Sequence, residues 1–199
     1  MSKFKVLMIA AGLLAGAGLA WLALPYILPH QFHGTVVQSP DTAPDFSLAS
    51  SQGGEFRLAD QRGKLVMLYF GYTFCPDVCP NTLGQVKQAQ KALGRRGSDV
   101  QVVMISVDPQ RDTPEVLARY LKNFDPSWIG ASGSEEQVAQ AAALYGIYYE
   151  KHPGSPQTGY LVDHTATVMV IDADGHLKLV FPFGTTGEDM ADDLAYLMR

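Results

Sequence analysis

Basic side chains are in short supply once the first 28 residues are set aside: Lys3 and Lys5 excluded, 13 Lys and Arg stand against 20 Asp and Glu, a net charge of −7. Nucleic acid is therefore not an expected partner, because binding phosphates needs a basic face. Cysteine is scarcer still, with two in 199 residues, both inside GYTFCPDVCP (Gly71–Pro80). Internal repeats and low-complexity tracts are missing as well. What remains, 47% hydrophobic and 18% charged residues, is an ordinary globular composition with room for one domain of usual size.

One long hydrophobic run is present. Val6–Leu28 is 23 uncharged residues, and a helix needs roughly 20 to cross the hydrocarbon of a bilayer. Lys3 and Lys5 in front of it point the N-terminus to the cytoplasm, with Trp21 and Tyr26 suited to the far interface. A cleaved signal peptide would have an apolar core of ~7–15 residues ahead of small residues. Here Ala15-Gly16-Ala17 lies within the run, so an uncleaved anchor over 1–28 is the favoured expectation. Residues 29–43 lack apolar periodicity and carry Pro, Gly and Ser, which reads as a flexible tether with nothing to pack. The domain, 44–199, is expected in an oxidising compartment outside the cytoplasm, where a close cysteine pair can exist as a disulfide.

Within the domain, β-branched runs alternate with helical patterns, the sign of an α/β sandwich. Lys64–Phe70 and Val100–Val107 are continuous apolar runs, as expected of strands covered on both faces. Between them Leu83, Val86, Ala89 and Leu93 follow helical spacing, giving a strand, helix, strand crossover. Asp112-Thr113-Pro114-Glu115 and Ser134-Glu135-Glu136-Gln137 open two more helices. Trp128–Ala131 is a short strand, Thr165–Ile171 and His176–Phe181 flank an Asp-Ala-Asp-Gly turn, and a last helix follows Thr186.

The cysteines then fall on the loop from the first apolar strand into its helix, the sheet edge where ligand sites of α/β folds gather. A helix N-terminus stabilises thiolate, so both sulfurs are expected to be more acidic than free cysteine. If residues 75–79 are partly helical, the two Cβ atoms lie ~5–6 Å apart. That suits a shared metal better than a disulfide, which prefers ~3.5–4.5 Å. A purely structural bridge would close a very short loop and stabilise little.

A metal needs a third ligand. Among five histidines, His30 and His33 lie in the tether, His152 in a Pro/Gly-rich loop, and His176 just after the turn. His164 differs, because in a thioredoxin-like arrangement the strand it precedes starts beside the first helix N-terminus. Cys75, Cys79 and His164 form a soft donor set that selects copper(I), with imidazole serving either oxidation state. Asp163, next to it, is placed to orient the ring or to ligate. Zinc, closed by that aspartate, is the competing metal.

In order and spacing, GYTFCPDVCP (Gly71–Pro80), VDPQRDTP (Val107–Pro114) and VDHTA (Val162–Ala166) resemble the motifs of the Sco/SenC family, membrane-anchored copper-binding proteins of cytochrome c oxidase assembly. The likeness runs from about Ala43 to the C-terminus. It implies a thioredoxin-like fold with peroxiredoxin-like additions behind an N-terminal transmembrane helix. It also implies copper, Cu(I) or Cu(II), held by Cys75, Cys79 and His164, with Asp108 and Asp163 as acids beside them. The implied role is copper delivery to the CuA centre of cytochrome c oxidase subunit II, or to another copper-accepting protein. A periplasmic copper donor or thiol reductant would supply the domain, which would stand in the periplasm on a single-pass anchor in a bacterial inner membrane. Phe74 departs from the relatives, which often carry a polar residue or histidine there.

The alternative is a thiol–disulfide oxidoreductase that reduces the cysteines of the CuA site. Thioredoxin-like reductases keep two residues between their cysteines and place a proline opposite; here three intervene, and His164-Thr165-Ala166-Thr167 has no proline. A peroxidase would need Pro and Thr where Leu68 and Tyr72 stand.

Overall fold

The computed structural model describes residues 8, 12–19, 21, 30–155 and 159–199. The chain divides into two units, 1–31 and 32–199. In the first, residues 12–19 are helical; most of the expected anchor lies outside the described residues. Among those described, no helix is long and apolar enough to cross a membrane.

The second unit is built on an eight-stranded mixed sheet. Its strands are β1 (Thr35–Val36), β2 (Ser47–Ser50), β3 (Glu55–Arg57), β4 (Leu65–Gly71), β5 (Val100–Ser106), β6 (Ile129–Ser132), β9 (Val168–Ile171) and β10 (Leu177–Phe181), in the order β1-β10-β9-β4-β5-β6-β2-β3. β7 (Tyr149–Pro153) and β8 (Tyr160–His164) form a separate two-stranded ribbon. β4 lies at the centre, parallel to β5 and antiparallel to β9, and all seven of its residues are buried. That is why its sequence is an unbroken apolar run instead of an alternating one.

Helix α1 (Val78–Ala92) carries the chain from β4 to β5, and α4 (Gly187–Leu197) packs against it. Helices α2 (Pro114–Leu121) and α3 (Glu135–Leu144) start where their sequences predict. Thr113 accepts a hydrogen bond from the Val116 amide with Pro114 in the first turn, and Ser134 and Gln137 exchange both bonds of a capping box. The Asp-Ala-Asp-Gly turn closes on Gly175 at φ +83°, a conformation that favours glycine.

Two expectations are corrected. Residues 32–43 are not an unpacked tether: Thr35 and Val36 pair with Val180 and Leu179, the amides of His33 and Gly34 both donate to the buried carboxylate of Asp193 at 2.9 Å, and Ala43 bonds to the Gly175 carbonyl. The β-branched Thr35-Val36 finds an open sheet edge, and two residues are too few for a periodicity to show. His152 does not sit in a loop. It belongs to β7, whose partner β8 ends on His164, so the imidazole stands at the end of a hairpin ribbon and not at the start of a sheet strand.

Candidate metal centre

β4 ends at Gly71 and α1 begins at Val78, so the cysteine stretch rounds the carboxyl edge of the sheet and enters a helix. Asp77 occupies the cap position without a side-chain bond, and the acceptor is sulfur instead: Cys75 Sγ takes the amide proton of Cys79 at 3.4 Å. Cys75 is half-buried, whereas Cys79, in the first turn of α1, is fully buried. From across the loop, His164 brings Nε2 to 3.3 Å from Cys79 Sγ. Its Nδ1 lies 3.2 Å from the Thr165 carbonyl, so a proton on Nδ1 leaves the Nε2 lone pair facing the sulfurs. The rings of Tyr69 and Tyr72 bracket the imidazole edge-on, each with its centroid 6.0 Å away.

The two sulfurs are not equivalent, against the expectation that both are acidified. The Cys79 thiol's hydrogen bond holds Cys75 as a thiolate, lowered to about 3; burial opposes this, and the amides of Cys79 and Asp77 reinforce it. That same bond, and then burial, push Cys79 well above the ordinary thiol range. The metal-free pair is one thiolate and one thiol sharing a proton.

Behind the loop, the segment after β5 ties the ligand-bearing pieces together. Buried Asp112 accepts the Thr73 amide at 2.9 Å, the Thr73 hydroxyl at 2.5 Å and the Ser106 hydroxyl at 2.8 Å. Asp108, fully buried, pairs with Arg111 and accepts the Tyr160 hydroxyl at 2.6 Å. Arg111 donates to the Tyr160 carbonyl at 3.1 Å, and its guanidinium lies 3.7 Å from the Tyr160 ring centroid and 4.7 Å from that of Phe74. The Tyr72 hydroxyl accepts the Val162 amide at 3.2 Å. The cysteine loop and β8 are thus fastened to one another through residues 108–112. Arg111, Tyr72 and Tyr160 were not singled out as site residues from sequence, although Arg111 and Tyr72 lie inside quoted motifs.

Asp108 therefore touches neither sulfur. Asp163 faces the other way from His164, as strand alternation requires; its carboxylate is largely exposed and meets His152 at 3.3 Å. Phe74 is exposed beside the loop. The set brought together is Cys75, Cys79 and His164, whose donor atoms all lie within 4.8 Å of one another. Three ligands at about 2.0–2.3 Å from a common ion would stand roughly 3.5–4 Å apart, so this set closes on a metal with small movements. Two sulfurs and an imidazole suit copper or zinc. Over the site opens a groove of about 360 Å³ lined by Tyr72, Pro76, Val162 and Phe183.

Comparison with known proteins agrees with this geometry. The SCO1/SenC family model matches residues 35–199. The bovine mitochondrial SCO2 homolog is 35% identical over 94% of this chain and 73% of its own length. Solution structures of apo Sco1 from Thermus thermophilus are 43% identical, covering 84% of this chain and 98% of that one with a TM-score of 0.75. Copper-bound ScoI of Bradyrhizobium japonicum is 35% identical, with a TM-score of 0.72 over 79% of this chain and 99% of that one. A family match across most of the chain, on a mixed α/β fold that aligns with Sco structures, shows that this chain belongs to the SCO1/SenC family.

Proposed function

We propose that this chain is a copper chaperone that binds copper through Cys75, Cys79 and His164 and hands it to the CuA centre of cytochrome c oxidase subunit II, standing on an N-terminal anchor in the periplasm of a bacterial inner membrane. The observation that carries it is the convergence of one half-exposed thiolate, one buried thiol and one imidazole within 4.8 Å. Family relatives are solved with copper bound, from Bradyrhizobium and from yeast. Uptake removes the proton shared by the sulfurs, and delivery proceeds by ligand exchange: incoming thiolates displace Cys75 first, since of the two sulfurs it is the one that lines the groove, and no free ion is released. The test mixes copper-loaded chain with metal-free subunit II and follows the CuA absorption. Transfer by the wild type, absent with Cys75→Ala, is expected; a loaded chain that retains its copper would contradict delivery.

One observation favours the second reading, a thiol–disulfide reductase. A thiolate near pKa 3 beside a buried thiol is the usual pairing of attacking and resolving sulfurs. Reduced metal-free chain would then open the disulfide of oxidised subunit II, and would do so equally well as His164→Ala. Dependence on His164 and copper separates the two readings.

A further inference from the structure

The Tyr69 hydroxyl is a buried polar atom with no hydrogen-bond partner, on a side chain that is 0% exposed at the end of the central strand. Leaving such a group unpaired is costly, and one that persists asks for a reason. Its neighbours narrow the reason. A Cβ at Gly71 would stand 2.6 Å from Tyr69 Cε1 and 3.0 Å from Cys79 Sγ, so ring and sulfur press on the same point of backbone. The phenol lies near enough to Cys79 and Thr82 to feel both, yet Thr82 spends its own proton on the Val78 carbonyl at 2.8 Å.

Cys79 Sγ is fully buried in the first turn of α1, with His164 Nε2 3.3 Å away. A sulfur that holds copper does so as a thiolate, and here it has no solvent contact to stabilise its charge. The Tyr72 amide is within reach of that sulfur, and the Tyr69 hydroxyl, which has no partner of its own, is the side-chain donor lying against it. We propose that Tyr69 is a positioning residue whose hydroxyl donates a hydrogen bond to the Cys79 sulfur when that sulfur holds copper, fixing its orientation and lowering its electron donation. The proposal rests on the copper reading above.

Tyr69→Phe removes the oxygen and leaves the packed ring. The metal-free variant is expected to melt at or slightly above the wild-type temperature, because an unpaired polar atom is gone. Copper(I) affinity, measured on the full chain by competition with a chromophoric chelator, is expected to fall about 10- to 100-fold, the usual effect of losing an outer hydrogen bond at a metal site. The thiolate-to-copper(II) absorption band should move to lower energy, since a sulfur without that bond donates more readily. Unchanged affinity and band in a variant that binds copper would overturn the role of Tyr69 alone. A wild-type chain that takes up no copper would overturn the copper reading and this inference together.

Discussion

Cys75 and Cys79 are four residues apart and chemically opposite, which sets how the pair reacts. A free thiol loses thiolate about tenfold for each pH unit below its pKa. Cys75, lowered to about 3, stays a thiolate from pH 8 down to about 4 and loses it only below that. Iodoacetamide should therefore modify Cys75 at a rate nearly flat between pH 5 and 8 and leave Cys79 untouched, as peptide mapping of the metal-free protein would show. A tenfold fall per unit would contradict the assignment. Gly71 is the other decisive residue: its missing side chain is the space that Tyr69 and Cys79 occupy. Gly71→Ala should cost about 1–3 kcal/mol, as crowding a packed core does, and displace the buried sulfur; denaturant unfolding and metal affinity measure the two parts.

Among elements, the segment after β5 decides whether β8 and the cysteine loop meet. Arg111→Ala leaves Asp108 buried without its cation, a change worth about 3–5 kcal/mol in unfolding experiments. Arg111→Lys keeps the charge but loses the planar contact with Tyr160 and Phe74, so copper affinity should drop more than thermal stability does. Equal loss of both would mean that Arg111 only supports the fold. The elements readable in the sequence are those with a strong local pattern: the apolar runs of β4 and β5, the caps at Thr113 and Ser134, the Gly175 turn. β1 to β3 are two to four residues long and carry no periodicity, so only the paired edges of the sheet reveal them. Among the described residues β7 and β8 pair only with each other; the exposed residues of β7 leave no apolar stripe to find, and its Pro153 reads as a breaker. The site itself was legible because sulfur and imidazole announce their chemistry by type. What holds them was not: Tyr69, Tyr72 and Tyr160 look like ordinary core aromatics, and Asp163 beside His164 looks like a neighbour until strand alternation turns it to solvent.

For the whole molecule, a ligand that binds only the folded chain adds RT ln(1 + [L]/Kd) to its stability, about 4 kcal/mol at a thousandfold excess over Kd. In a domain of this size that raises the melting temperature by roughly 8–16 °C. Copper should give this shift to the wild type and little of it to His164→Ala. The most direct measurement is copper stoichiometry and X-ray absorption on the full chain. One copper per chain, with two sulfurs and one imidazole nitrogen around it, reduced to a sulfur-only sphere in His164→Ala, is the expected result. A bound copper with no imidazole, or a coordination sphere that is the same after His164→Ala, would contradict the convergence of Cys75, Cys79 and His164 on one ion.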